Sequence, residues 1–142
     1  MVNIYVDDLL FTGDDEKLLE KFKRSMKKEF DMTDLGHMRF FLQIEVIQRL
    51  DGIFICQRKY GAEVLNRFGI ENCNSVCNPI VLGQKIGKDK SGAKVDVTSF
   101  KQIVGSLMYL TATCPDFMFV VSLISRFMTC PTQQNFAATK RV

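Results

Sequence analysis

Two acids lie side by side near the start of the chain: Asp7 and Asp8, in the run Ile4-Tyr5-Val6-Asp7-Asp8-Leu9-Leu10-Phe11. On a regular strand their side chains would point to opposite faces, so a tight hairpin is the better setting for the pair. Such a turn would carry both carboxylates to one edge, between apolar flanks held still by burial. Hard oxygen donors at a rigid tip are what a divalent cation such as Mg²⁺ takes. The plain alternative is a polar turn joining two strands.

Other reactive side chains form no comparable pattern. Five cysteines (Cys56, Cys73, Cys77, Cys114 and Cys130) accompany a single histidine, His37. Cys73 and Cys77 have a C-x-x-x-C spacing, but a zinc site there would lack obvious third and fourth ligands. An odd number of scattered cysteines reads as free thiols in a reducing compartment. His37 is the one available base for a cysteine nucleophile, and its setting is that of a turn residue. Net charge is only +3, yet Lys21, Lys23, Arg24, Lys27 and Lys28 share one segment, and Lys85, Lys88, Lys90 and Lys94 another. Both segments could meet phosphates. A solvated helix face and a soluble loop are their respective alternatives.

The elements that must position these residues can be read from periodicity. Thr12-Gly13-Asp14-Asp15-Glu16 is a helix start, with acids where the helix dipole favours them. Leu18, Leu19, Phe22, Met26 and Phe30 then recur at helical spacing as one apolar stripe. From Met38 to Val46 the period becomes two: Met38, Phe40, Leu42, Ile44 and Val46 face one way, Arg39, Phe41, Gln43 and Glu45 the other. Asp51-Gly52 signals a hairpin turn, and Ile53-Phe54-Ile55-Cys56 is the returning strand. Tyr60, Val64, Leu65 and Phe68 mark a short helix stopped by Gly69. Residues 71–97, rich in Asn, Gly, Lys and Ser, form a long connector. Beyond it Phe100, Ile103, Val104, Leu107 and Leu110 line a helix. A second helix runs from Pro115-Asp116 through Met128, and a third opens at Pro131 and continues in mid-pattern to Lys140-Arg141-Val142.

At 142 residues, 46% hydrophobic and 25% charged, the chain has the length and composition of one folded domain with a substantial core. Its 12 phenylalanines and 7 methionines fall on these stripes and read as core. No apolar run approaches the roughly 20 residues that span a bilayer, and the start lacks the order of a signal peptide. The expectation is an intracellular, cytoplasmic protein without a membrane partner.

Taken in order, the motifs resemble the reverse transcriptase of Ty1/copia-type LTR retrotransposons over nearly the whole chain. Tyr5-Val6-Asp7-Asp8 leads into Leu9-Leu10-Phe11-Thr12-Gly13, then Phe30-Asp31-Met32-Thr33-Asp34-Leu35-Gly36. Phe41-Leu42-Gln43-Ile44-Glu45-Val46 and Gly52-Ile53-Phe54-Ile55-Cys56-Gln57-Arg58-Lys59-Tyr60 follow. Val104-Gly105-Ser106-Leu107-Met108-Tyr109-Leu110 and Ile124-Ser125-Arg126-Phe127-Met128 complete the set.

The resemblance implies an α+β fold: a partial polymerase palm of antiparallel strands with a packed helix over residues 1–70. The connector at 71–97 and a helical thumb- or connection-like segment at 98–142 would follow. Asp7 and Asp8 would be the catalytic, Mg²⁺-binding palm aspartates, with Tyr5 and Val6 beside the primer terminus and incoming nucleotide. The strands around residues 41–57 would form a primer-grip-like hairpin, with Gln57 and Lys59 adjacent to the primer. RNA template, DNA primer, dNTP and the rest of a Pol polyprotein are the implied partners, and a virus-like particle the implied setting.

The same resemblance requires a further aspartate upstream, nucleotide-binding fingers and an RNase H. Asp14, Asp31, Asp34 and Glu45 read as cap, loop and off-face acids that do not replace that aspartate. The chain alone is therefore expected to be inactive. The alternatives are a non-enzymatic nucleic-acid-binding remnant and a functionless relic of a retroelement. The chain departs from the family pattern in three places: Gln43 for glycine, Cys114 for arginine, and Cys77-Asn78-Pro79 for Ser-Thr-Pro. The usual glycine at 43 is expected to allow close backbone approach, so a side chain there would crowd the primer.

Overall fold

Alternation gives way to a sharp reversal at the start of the chain. In the computed structural model, which describes residues 1–76, 80, 93 and 95–142, β1 (Val2–Tyr5) pairs antiparallel with β2 (Asp8–Phe11). The register, from Val2 opposite Phe11 to Tyr5 opposite Asp8, leaves only Val6 and Asp7 to make the turn. Helix α1 (Glu16–Glu29) follows, and Asp15 caps it by accepting from the amides of Lys17 and Leu18 at 2.9 and 3.1 Å. The Phe22 ring meets the edge of Phe11 at 5.3 Å between centroids, so the helix lies on the hairpin.

These elements form the first of two compact units, Met1–Met38 and Arg39–Val142. No residue of the first unit is fully buried. The expected burial of the apolar flanks does not occur: Ile4 is 71% and Val6 79% exposed. A two-stranded ribbon under one helix can cover only part of one face. The α1 stripe is also narrower than expected. Leu19, Phe22 and Met26 are half-buried, whereas Leu18 lies off the stripe and Phe30 is the C-cap beyond the last turn, both exposed.

The second unit opens with a three-stranded antiparallel sheet in the order β3 (Phe40–Phe41), β4 (Ile44–Arg49), β5 (Gly52–Cys56). The alternating run from Met38 to Val46 is therefore two strands. The chain reverses at Leu42-Gln43, both with positive φ (47° and 63°), the signature of a type I′ hairpin. Periodicity of two continues through a two-residue turn, which hides the reversal from pattern alone. The β4–β5 turn falls at Leu50-Asp51, one residue before the expected Asp51-Gly52, because Gly52 already pairs with Arg49.

Helix α2 (Arg58–Arg67) ends as expected at Gly69. With φ at 63°, Gly69 donates to the Asn66 carbonyl, and Ile70 donates to that of Leu65. The core lies in the helices that follow: α3 (Val97–Leu110), α4 (Met118–Ser125) and α5 (Gln133–Thr139). Phe100, Ile103, Val104 and Leu107 of α3 pack with Val120, Val121 and Ile124 of α4 and with Phe127. Pro115–Phe117 form one 3₁₀ turn ahead of α4. Helix α4 stops at Ser125 rather than running to Met128, and turns close through 127–130. Helix α5 likewise closes at Thr139 instead of continuing to Val142. The molecule is thus α+β, with small antiparallel sheets and packed helices. Cys77-Asn78-Pro79, the lysines at 85, 88, 90 and 94, and most of the expected connector lie outside the described residues.

Candidate functional site

The acid pair sits where a hairpin reading puts it. Asp7 is the second turn residue and Asp8 the first residue of β2, opposite Tyr5. Val6, the first turn residue, has φ at 51°, a left-handed conformation that a β-branched side chain rarely adopts. Positive φ at the first turn position is what lets two residues join the twisted strands. Asp7, Asp8, Tyr5 and Val6 are all exposed.

Neither carboxylate has an ion-pair or hydrogen-bond partner among the described residues. Two adjacent, unpartnered, hard oxygen donors suit a divalent cation. Among the described residues no group of three or more His, Cys, Asp or Glu side chains is placed to hold a metal ion.

Gln57 and Lys59 belong to the second unit, where β5 leads into α2. Gln57 is only 4% exposed; its Oε1 accepts from Thr113 Oγ1 at 2.9 Å, and its Nε2 has no partner among the described residues. It is the N-cap residue of α2 but makes no capping hydrogen bond with its side chain. That work falls to Glu45 on β4, whose Oε1 accepts from the Lys59 amide at 2.9 Å. Glu45 thereby satisfies one of the amides that a helix start leaves open. The Lys59 side chain stays exposed, with its ammonium 5.6 Å from the centre of the Phe40 ring.

The Leu42-Gln43 turn is held from α3. Tyr109 donates its hydroxyl to the Leu42 carbonyl, and its ring meets Tyr60 of α2 edge-on at 5.1 Å. Glu45 and Tyr109 escape a reading of spacing, because each acts on an element distant in sequence. Their only signal is membership of the quoted motifs.

The sequence matches a family described as reverse transcriptase (RNA-dependent DNA polymerase) over residues 1–82, and the chain belongs to that family. Its relatives place it in the Ty1/copia-type branch of that family. It is 33% identical over 139 residues to the retrovirus-related Pol polyprotein from transposon RE1 of Arabidopsis thaliana, covering 98% of this chain and 10% of that one. It is 32% identical over 146 residues to the retrovirus-related Pol polyprotein from transposon TNT 1-94 of Nicotiana tabacum, covering 96% of this chain and 11% of that one. An uncharacterized mitochondrial protein of Arabidopsis thaliana is 37% identical over 140 residues, 98% of this chain. The chain spans 58% of that relative's length and about a tenth of each polyprotein's. No solved structure matches. Reverse transcriptases work with divalent metal ions on nucleic acid. No helix among the described residues is long and apolar enough to cross a membrane.

Proposed function

We propose that the chain is the palm-to-thumb portion of a copia-type reverse transcriptase, acting in template-directed DNA synthesis as part of a longer Pol polyprotein. Residues 1–70 serve as the palm part, 71–97 as a connector, and 98–142 as a thumb- or connection-like helical part. The observation that carries this reading is the Tyr5-Val6-Asp7-Asp8 hairpin tip, with both carboxylates unpartnered among the described residues, in a chain of this family.

Asp7 and Asp8 hold Mg²⁺, Asp7 as the fuller ligand. Bound there, the metal supplies charge stabilisation to the attacking primer 3′-hydroxyl and to the leaving pyrophosphate. A third carboxylate, which the described residues do not provide, comes from another segment of the polymerase. Tyr5 and Val6, exposed beside the acids, pack near the primer end and the incoming dNTP. Lys59 is free to meet a primer phosphate. Gln57, buried against Thr113, acts by positioning the start of α2.

Titration of the chain with Mn²⁺ should broaden the amide resonances of residues 5–9, and Asp7→Asn with Asp8→Asn should remove that effect. Joined to the preceding polymerase segment of a Pol relative, the chain should extend an RNA-templated primer with Mg²⁺. Asp7→Asn should cut that rate by roughly 10²–10³-fold, the scale of loss when a group stabilising transition-state charge is removed. Full extension by the Asp7→Asn chimaera, or by the isolated chain, would defeat the reading.

A further inference from the structure

The cationic segment of α1 is not one surface but two. Lys23 reaches Glu20 at 3.3 Å and Asp34 at 3.4 Å, and Lys27 lies 3.9 Å from the same Asp34. Lys23 also stands over the Phe11 ring at 5.8 Å. These two lysines therefore tie the helix to the segment after it and to the hairpin. Lys17, Lys21, Arg24 and Lys28 have no ion pair among the described residues. Together with Ser25 they line a shallow open groove, bordered at its N-terminal end by Glu16 and Glu20.

Helical geometry explains the division. At about 100° per residue, Lys17, Lys21, Arg24 and Lys28 fall within an arc of about 60°, a line about 16 Å long. The half-buried Leu19, Phe22 and Met26 centre on the opposite side of the helix. The four cations thus form the most outward line of α1. No apolar or aromatic side chain lines the groove. Such a surface offers charge and hydrogen-bond donors but nothing to insert into a lipid layer or to stack on a base.

We infer that this stripe on α1 is a binding surface for the phosphate backbone of a nucleic-acid strand, separate from the acid hairpin and indifferent to base sequence. The choice of a nucleic acid among polyanions rests on the polymerase reading above. The stripe itself does not depend on metal binding at Asp7 and Asp8. Each cation meets one phosphate oxygen of a strand laid along the helix, and the Ser25 hydroxyl adds a neutral donor. Lys23 and Lys27 take no part, because Asp34 engages both.

The test is fluorescence anisotropy of the full chain with a labelled, mixed-sequence single-stranded RNA in EDTA. The absence of divalent metal keeps failure of the hairpin reading distinct from failure of this one. Four phosphate contacts predict a slope of log affinity against log salt of about −2.8, or about 50-fold weaker binding at about 200 than at about 50 mM NaCl. Lys21→Gln with Arg24→Gln should reduce the slope to about −1.4, with about 7-fold weakening over the same range. Lys17→Gln with Lys28→Gln should do the same. Lys23→Gln with Lys27→Gln removes the same charge and should keep the original slope. Lys101→Gln with Arg126→Gln, on exposed positions of the second unit, is a second charge-matched control should the loss of Asp34's partners loosen α1. Equal losses in stripe and control variants would reduce the effect to net charge and overturn the inference. So would absence of RNA binding at the lower salt, or preferential binding to phosphatidylserine vesicles.

Discussion

Gln43 shows how a single side chain can be at odds with the backbone beneath it. It occupies the second position of a type I′ turn with φ at 63°, where glycine is favoured, and its Oε1 is buried without a partner among the described residues. The glycine usual at this position has a local rationale, since the turn asks for a left-handed residue. A left-handed conformation costs a non-glycine residue about 1–2 kcal/mol, and glycine returns about 0.4–1 kcal/mol of that through the looser unfolded chain. Gln43→Gly should therefore stabilise the second unit by roughly 0.5–1 kcal/mol, read from the urea midpoint at unchanged slope.

Asp96, the cap of α3, makes a second prediction at this scale. Hydrogen bonds from the Ser99 hydroxyl and then from the Ser99 amide hold its carboxyl below the ordinary 3.8. A depressed folded value means that the carboxylate's contribution is complete above about pH 4 and is lost as pH falls through that lower value. Asp96→Asn keeps a capping oxygen while removing the charge. Its melting temperature should approach that of the parent chain as the pH drops below 4, with the gap greatest near neutrality.

Elements in this chain are held by residues belonging to other elements. The start of α2 is capped from β4 by Glu45, and the β3–β4 turn is anchored from α3 by Tyr109. Glu45→Ala should destabilise by about 1 kcal/mol, the usual cost of losing a cap. Hydrogen exchange of the Lys59 amide should accelerate with it. Tyr109→Phe, which keeps the ring against Tyr60, should cost about 0.5–1.5 kcal/mol through the hydrogen bond alone.

Sequence made the elements themselves legible wherever an apolar period marks them: α1, α2, α3 and the β4–β5 pair stand where their patterns put them, whether or not the apolar face is buried. Boundaries failed where a turn preserved the period, as at Leu42-Gln43. They failed again where helices stop in continuous apolar sequence, as α4 does at Ser125. Of the site, the acid pair and its hairpin were legible because adjacent carboxylates between strand formers admit few arrangements. The burial of Gln57 was not, since its partner Thr113 lies 56 residues away.

At the scale of the whole molecule, burial is uneven. The acid hairpin and α1 contain no fully buried residue, whereas α3 and α4 carry Phe100, Val104 and Ile124 at or near zero exposure. Local opening follows buried apolar contact. Amides of β1, β2 and α1 should thus exchange far faster than those of residues 100–124, by native-state hydrogen exchange; equal protection would contradict this ordering. The position of that core has a consequence for biosynthesis. Residues 97–142 are translated after β1 and β5, and at about 5–20 residues per second their synthesis takes about 2–9 s. Throughout that interval β5, an edge strand of its sheet, precedes the helices that carry the core of its own unit, and its backbone edge is competent to pair with another chain. Pairing at that edge before the core forms is then a route to aggregation open to the nascent chain.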